Sequence, residues 1–231
     1  MEQLPLGVRL QSASTFDSFD VGDNAPLVAA LEARASGAHL PPLWLWSSAG
    51  LGRTHLLQAV CQRASRAGRR VGYLPLSEAW VTAEMLQGLE ALEVVCLDDI
   101  DVVAGAADWD RRLFILYNEL AERGHHLVMS ASAAPGALTV ALPDLASRLT
   151  ASVVWAVKPL PEDRHGVAIQ RRAEALGLEL SDEVLNFLLR RLPRDLAALC
   201  RALDRLDRAA LARQRRLTVP FVSSVLEELL D

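Results

Sequence analysis

The sequence predicts an α/β protein: a core whose parallel sheet lies between helices, followed by a small all-helical domain. Three observations carry that reading. Five short apolar runs alternate with segments of helical spacing up to about residue 158. A glycine-containing turn stands between the first run and the helix after it, and strand-like runs stop after Lys158-Pro159-Leu160-Pro161. Strands covered on both faces are apolar throughout rather than alternating. Strand and helix in repeated alternation imply right-handed crossovers and a parallel sheet.

The expected strands are Leu43-Trp44-Leu45-Trp46, Val71-Gly72-Tyr73-Leu74, Val94-Val95-Cys96-Leu97, Leu127-Val128-Met129 and Val153-Val154-Trp155-Ala156-Val157. Between them, Leu56, Leu57, Val60 and Ala64 form one core-facing helical stripe, and Leu113, Leu116, Tyr117 and Leu120 another. In the tail, Ser181 reads as an N-cap, with Asp182 and Glu183 in the first turn of a helix bearing Val184, Leu185, Leu188 and Leu189. Pro193 reads as the start of a second helix, with the stripe Leu196, Leu199, Leu203 and Leu206. Thr218 and Pro220 open a last one, with Phe221, Val222, Val225, Leu226 and Leu229 apolar. The expected organisation is a flexible leader over 1–12, an α/β domain over 13–158 and a helical domain over 159–231.

Composition narrows the function. The chain has 231 residues, 51% hydrophobic and 23% charged, enough to bury a core and too apolar for disorder. No run approaches the roughly 18 apolar residues of a membrane span. The opening MEQLPLGVRLQSAS lacks the pattern of a secretory signal. Three distant cysteines (Cys61, Cys96, Cys200) exclude a disulfide framework or zinc site and suit reduced thiols of a cytoplasmic protein. A net charge of −5 does not make the whole chain a polyanion binder. Of its 24 basic residues only Lys158 is a lysine.

The chemistry concentrates at Ser47-Ser48-Ala49-Gly50-Leu51-Gly52-Arg53-Thr54. The phosphate-loop template is G-x-x-x-x-G-K-[ST], whose backbone N–H groups wrap phosphates at a helix N-terminus. Gly52 and Thr54 match, and Gly50 and Leu51 complete the turn. Ser47 replaces the first glycine and Arg53 the lysine. The same residues would also suit an ordinary strand-to-helix turn. A planar guanidinium handles a γ-phosphate less well than a compact ammonium, so nucleotide binding with poor hydrolysis is expected, a diphosphate being favoured. About forty residues on, Asp98-Asp99 ends the third strand, on the ligand-binding edge of such a sheet. There Asp98 would hold Mg²⁺ through water beside Thr54, and Asp99 sits where many ATPases carry a glutamate base. Asp101 reads as surface, and His55 either as a neighbour of the nucleotide or as a solvated helix start.

This order of motifs resembles the AAA+ ATPases, and among them the DnaA-related family. Thr15-Phe16-Asp17-Ser18-Phe19-Asp20-Val21-Gly22-Asp23-Asn24 is similar to the DnaA segment that lies against the adenine, which gives Val21 a nucleotide contact. Leu142-Pro143-Asp144-Leu145-Ala146-Ser147-Arg148-Leu149 and Leu217-Thr218-Val219-Pro220-Phe221-Val222 are similar to the Hda-type inactivators of DnaA. The resemblance covers roughly residues 13–231 and stops where DnaA carries its DNA-binding domain.

The resemblance implies a regulator of replication initiation that binds ADP or ATP, with Mg²⁺ when nucleotide is bound. Its partners would be the DnaA initiator and the DNA polymerase sliding clamp, with DNA met mainly through the clamp, no membrane, and room for a homo-oligomer. Gln3, Leu4 and Leu6 of the leader would dock on the clamp. Arg148 aligns with the arginine finger that a AAA+ subunit points at a neighbour's nucleotide, although an exposed i, i+4 pair with Asp144, worth about 0.3–0.5 kcal/mol, accounts for it locally. Arg194 matches the sensor 2 arginine, with Asp195 as a rival local partner. Ser132 stands at sensor 1, where the initiator has an aspartate. Two other readings stay open: a stand-alone ATPase using Asp99 as base, and a helicase-loader-like adaptor. A metal at His125-His126, nucleic acid on the arginine-rich 190–216 stretch and base stacking on the tryptophans are the weaker readings.

Overall fold

All five apolar runs form strands of one parallel sheet in the computed structural model, which describes residues 13–38, 40–193 and 195–228. They are β1 (Leu43–Trp46), β2 (Val71–Pro75), β3 (Val94–Asp98), β4 (His126–Ala131) and β5 (Val153–Ala156), in spatial order β2-β3-β4-β1-β5. Register follows from the apolar pattern: Val71 faces Val94, Cys96 faces Val128, and Leu43 faces Val128 on one side and Val153 on the other. β3 and β4 are buried along their whole length, which explains why neither alternates. The first crossover carries the chain from β1 to the far edge, later strands fill the gap, and β5 lands on the opposite side of β1. Such a reversal brings the loops at the carboxyl ends of β1, β4 and β3 side by side.

Helices cover both faces. α1 (Ala25–Ala35) packs on α2 (Arg53–Arg66), which lies on β2, β3 and β4 and buries Leu56, Leu57, Val60 and Ala64 completely. Strand positions with the opposite phase (Trp44, Leu74, Val95, Leu97, Leu127, Met129) join a cluster with α3 (Ala107–Glu122) and α4 (Pro143–Thr150). Trp44, fully buried, donates its indole N–H to Ala133 O at 3.0 Å and so ties the loop after β4 to β1. Asn24 closes this unit by pairing with both backbone groups of Lys158, at 3.0 and 2.8 Å.

The contacts divide the described chain into two units, residues 13–16 with 24–158 and residues 17–23 with 159–228. The second holds α5 (His165–Leu176), α6 (Asp182–Arg191), α7 (Leu196–Arg213) and α8 (Val219–Glu227) around Ile169, Val184, Leu188, Leu199, Leu203, Leu206 and Phe221. Ser181 caps α6 as expected, accepting from the Val184 N–H at 3.4 Å. The start expected at Pro193 moves to Leu196, because Asp195 accepts from the N–H groups of both Ala197 and Ala198. A carboxylate that satisfies two orphan donors fixes a helix start better than a proline, which satisfies none. Arg172 grips Asp204 through two nitrogens, at 3.1 and 2.8 Å to Oδ1, and links α5 to α7. Arg164 pairs with buried Asp20 at 2.9 Å and holds the 17–23 segment to this unit. No helix among the described residues is long and apolar enough to cross a membrane.

Candidate nucleotide site

The loop after β1 owes its path to two glycines. Gly50 has φ +84° and Gly52 φ +100°, a left-handed backbone that side chains with a Cβ avoid. Gly52 is the N-cap of α2, so the N–H groups of the first helical turn stay free of intrahelical partners and face outward at the positive end of the helix. Ser47, in the template's first-glycine position, does not have a positive φ, and its hydroxyl bonds to Ser48 O at 2.8 Å. The template departs there at a place where the backbone makes no demand for glycine.

Arg53, the first residue of α2, turns its side chain back across the strand ends. Nη1 donates to the carbonyls of Ser47 and Ala131, and Nη2 donates to Asp99 Oδ1 at 3.0 Å. The Arg53 side chain is only 12% exposed. Asp99 takes a left-handed φ of +58°, and its second oxygen accepts from Ser77 Oγ at 3.1 Å. Burial pushes the Asp99 carboxyl above the usual carboxylate range and the charge of Asp98 adds to this, against the opposing pull of Arg53 and Ser77.

Asp98 is buried, 2% exposed, with both oxygens engaged. Tyr73 donates its hydroxyl to Oδ2 at 2.8 Å, and Ser130 donates to Oδ1 while its own oxygen accepts the Asp99 N–H at 3.0 Å. Burial, followed by the Asp98 charge, raises the Tyr73 phenol far above its ordinary value, so it stays a donor. Ser132 donates to Asp101 Oδ2. The expectation that Asp101 is a surface residue is corrected: it is half-buried, and its Oδ1 has no hydrogen-bond partner. The β4 end holds it there through Ser132.

The donor set bears on Mg²⁺. The two oxygens of Asp98 already accept hydroxyl bonds, and exposed Thr54 at the start of α2 offers a further oxygen. Among the described residues no group of three or more His, Cys, Asp or Glu could hold an ion by itself. An ion here would have to arrive with a nucleotide and take most of its ligands from phosphate and water, the habit of Mg²⁺.

The structure thus brings together Gly50, Leu51, Gly52, Arg53, Thr54, Asp98, Asp99 and Ser132. His55, two residues after Arg53, donates from Nε2 to Thr15 O at 2.8 Å and anchors the residues ahead of α1. Val21 lies in the 17–23 segment of the second unit. Gln3, Leu4, Leu6 and Arg194 lie outside the described residues. Tyr73, Ser77 and Ser130 were missed; their only signal was a hydroxyl within or shortly after an apolar run.

Arg148 stands apart on α4. Leu145 and Leu149 bury the inner face of that helix, while Arg148 is exposed. Among the described residues its guanidinium has no hydrogen-bond or ion-pair partner, so the local pair with Asp144 does not form. The arginine-rich stretch is partly engaged within its own unit, with Arg213 on Glu228 at 2.8 Å and Arg201 within 3.8 Å of Asp195. His125 donates to Glu90 O at 3.1 Å.

A glycine-turned phosphate loop against an acidic strand end, in an α/β unit followed by a helical one, puts the protein in the AAA+ class of nucleotide-binding proteins. Residues 10–156 match the bacterial DnaA ATPase domain family, and residues 162–226 match the Hda lid domain. The chain belongs to the DnaA-related AAA+ family, with a lid of the Hda type, and is a DnaA-related replication regulator. Its fold is similar to domain III of the Thermotoga maritima initiation protein DnaA, with a TM-score of 0.76 at 23% identity, covering 96% of this chain and 98% of that one. It is also similar to AMPPCP-bound DnaA from Aquifex aeolicus, with a TM-score of 0.66 at 22% identity over 85% of this chain and 66% of that one. The Thermotoga maritima RuvB branch-migration motor shares the fold more distantly, with a TM-score of 0.63 at 17% identity over 95% and 74% of the two chains. At these identities the likeness shows the fold.

Proposed function

We propose that the chain is a nucleotide-loaded inactivator of DnaA, held at the DNA-bound sliding clamp, that lends Arg148 to the ATP on DnaA and speeds its hydrolysis. The observation that carries this reading is the state of Arg148: exposed, without a partner, and mounted on a helix whose opposite face is locked into the core. A guanidinium set against a transferring phosphoryl group offsets the charge that develops in the transition state, and such fingers raise hydrolysis by ~10³–10⁵ where they have been measured. An arginine already bonded at home would have to give up its partners first.

The chain's own nucleotide, ADP or ATP, would lie on the loop from Gly50 to Thr54, with its phosphates taking N–H groups of the α2 start. Mg²⁺ bound with it would be held by Thr54 and, through water, by Asp98, and would neutralise phosphate charge. The same reading assigns Ser132, Val21 and Arg194 to nucleotide contact, and Gln3, Leu4 and Leu6 to the clamp. Turnover by the chain itself would be weak, since Arg53 and Asp99 are occupied with each other. That pairing also speaks against the stand-alone ATPase.

The test is hydrolysis of DnaA-bound ATP, followed with and without this protein, clamp and DNA. Acceleration that needs both protein and clamp supports the reading, and an unchanged rate with all components present contradicts it. Steady-state turnover by the chain alone, at the rate seen with DnaA, would favour the ATPase instead.

A further inference from the structure

We propose that Asp99 is the built-in counter-ion of the phosphate site: it keeps the charge of Arg53 for itself, sets how strongly the site takes a nucleotide's last phosphate, and does not act as a general base. This rests on the reading that the loop binds nucleotides and adds a residue that governs which of them it prefers.

The geometry makes the pair a clamp. A guanidinium offers five donors in a rigid fork. Here one nitrogen spans two carbonyls, at the end of β4 and just past β1, while the other meets the Asp99 carboxylate at 3.0 Å. A lysine's single ammonium cannot bridge three acceptors spread in that way. Asp99 is pinned from its own side as well. Its N–H is on Ser130 Oγ, its second oxygen takes the Ser77 hydroxyl, and its backbone is held at φ +58°. With one oxygen on Arg53 and the other on Ser77, any proton that Asp99 drew from water would go to an oxygen already accepting from one of them.

The charge count around the loop follows. Asp98, Asp99 and Asp101 stand at or just past the end of β3, and Arg53 is bonded to the second of them, Asp99. A polyphosphate arriving on the loop meets backbone N–H groups and a guanidinium whose charge Asp99 already cancels. Each added phosphate charge then gains little from Arg53, which disfavours a triphosphate relative to a diphosphate.

Calorimetric titration of ADP and of ATP into the full chain tests this with four proteins: wild type, Asp99→Asn, Arg53→Ala and the double variant. Asn tolerates a left-handed backbone, so Asp99→Asn removes the charge without straining the fold. Removing one charge beside the phosphates and releasing Arg53 should tighten ATP about tenfold and ADP much less. ATP affinity should run Asp99→Asn above wild type, wild type close to the double variant, and Arg53→Ala lowest. If Asp99 is instead a base and Arg53 already binds phosphate, Asp99→Asn leaves affinity unchanged and the double variant falls to the level of Arg53→Ala, which overturns the proposal. Failure of all four proteins to bind either nucleotide would remove the nucleotide-binding reading, and this proposal with it.

Discussion

Two arginines of the α/β unit live in opposite surroundings. Arg53 is spent: three acceptors hold it across the sheet end, and little of it reaches solvent. Arg148 is free, on the outer face of a short helix whose inner residues lock it to the core. A buried, multiply bonded guanidinium shapes the site it sits in and has nothing to offer a partner. An exposed one on a rigid mount contributes little to stability and can meet a phosphoryl group elsewhere at small cost. The difference teaches that the cation expected to serve this chain's own nucleotide is occupied, while the cation with no local task is the one suited to act outside.

Substitutions sharpen that contrast. The largest stability effect belongs to neither arginine but to the core that mounts them. Leu97→Ala, fully within the cluster shared by β3, α3 and α4, should cost about 2–5 kcal/mol in denaturant unfolding. Ser181→Ala should cost about 1 kcal/mol in denaturant unfolding by removing the α6 cap of the helical unit. Arg148→Ala should move unfolding by less than about 0.5 kcal/mol, as expected of a surface side chain with no partner; a loss of several times that would mean it is structural after all.

The subtlest effect is one of pH. With its carboxyl raised in the folded state, Asp99 binds a proton more readily there than in the unfolded chain. Its contribution to stability therefore falls as pH rises from the ordinary carboxylate value to the raised one. Unfolding measured across that acid range should lose this slope in Asp99→Asn, and a slope unchanged by the substitution would show that other carboxylates produce it.

Much of the fold was legible because it rests on local apolar pattern: all five strands, the α2 and α3 stripes and the Ser181 cap follow from neighbouring residues. The start of α7 was misread because a carboxylate cap at Asp195 outcompeted a proline signal two residues earlier. The turn after β1 and the acidic end of β3 could be located, because they follow from glycine positions and the local strand pattern. The clamp could not. Arg53 and Asp99 are 46 residues apart, and Tyr73 and Asp98 are 25 apart, so only the sheet order brings them together. The His55 bond was hidden for the same reason, since its partner Thr15 lies 40 residues earlier in the chain.

The central claim, that Arg148 acts on a nucleotide held by DnaA, is tested most directly by single-turnover hydrolysis of DnaA-bound ATP in the presence of clamp and DNA. Wild type and Arg148→Ala should be compared at equal nucleotide loading. The account predicts that the variant loses the acceleration by at least about a hundredfold while keeping wild-type melting and wild-type affinity for ADP and ATP. Acceleration that survives the loss of Arg148 would contradict it.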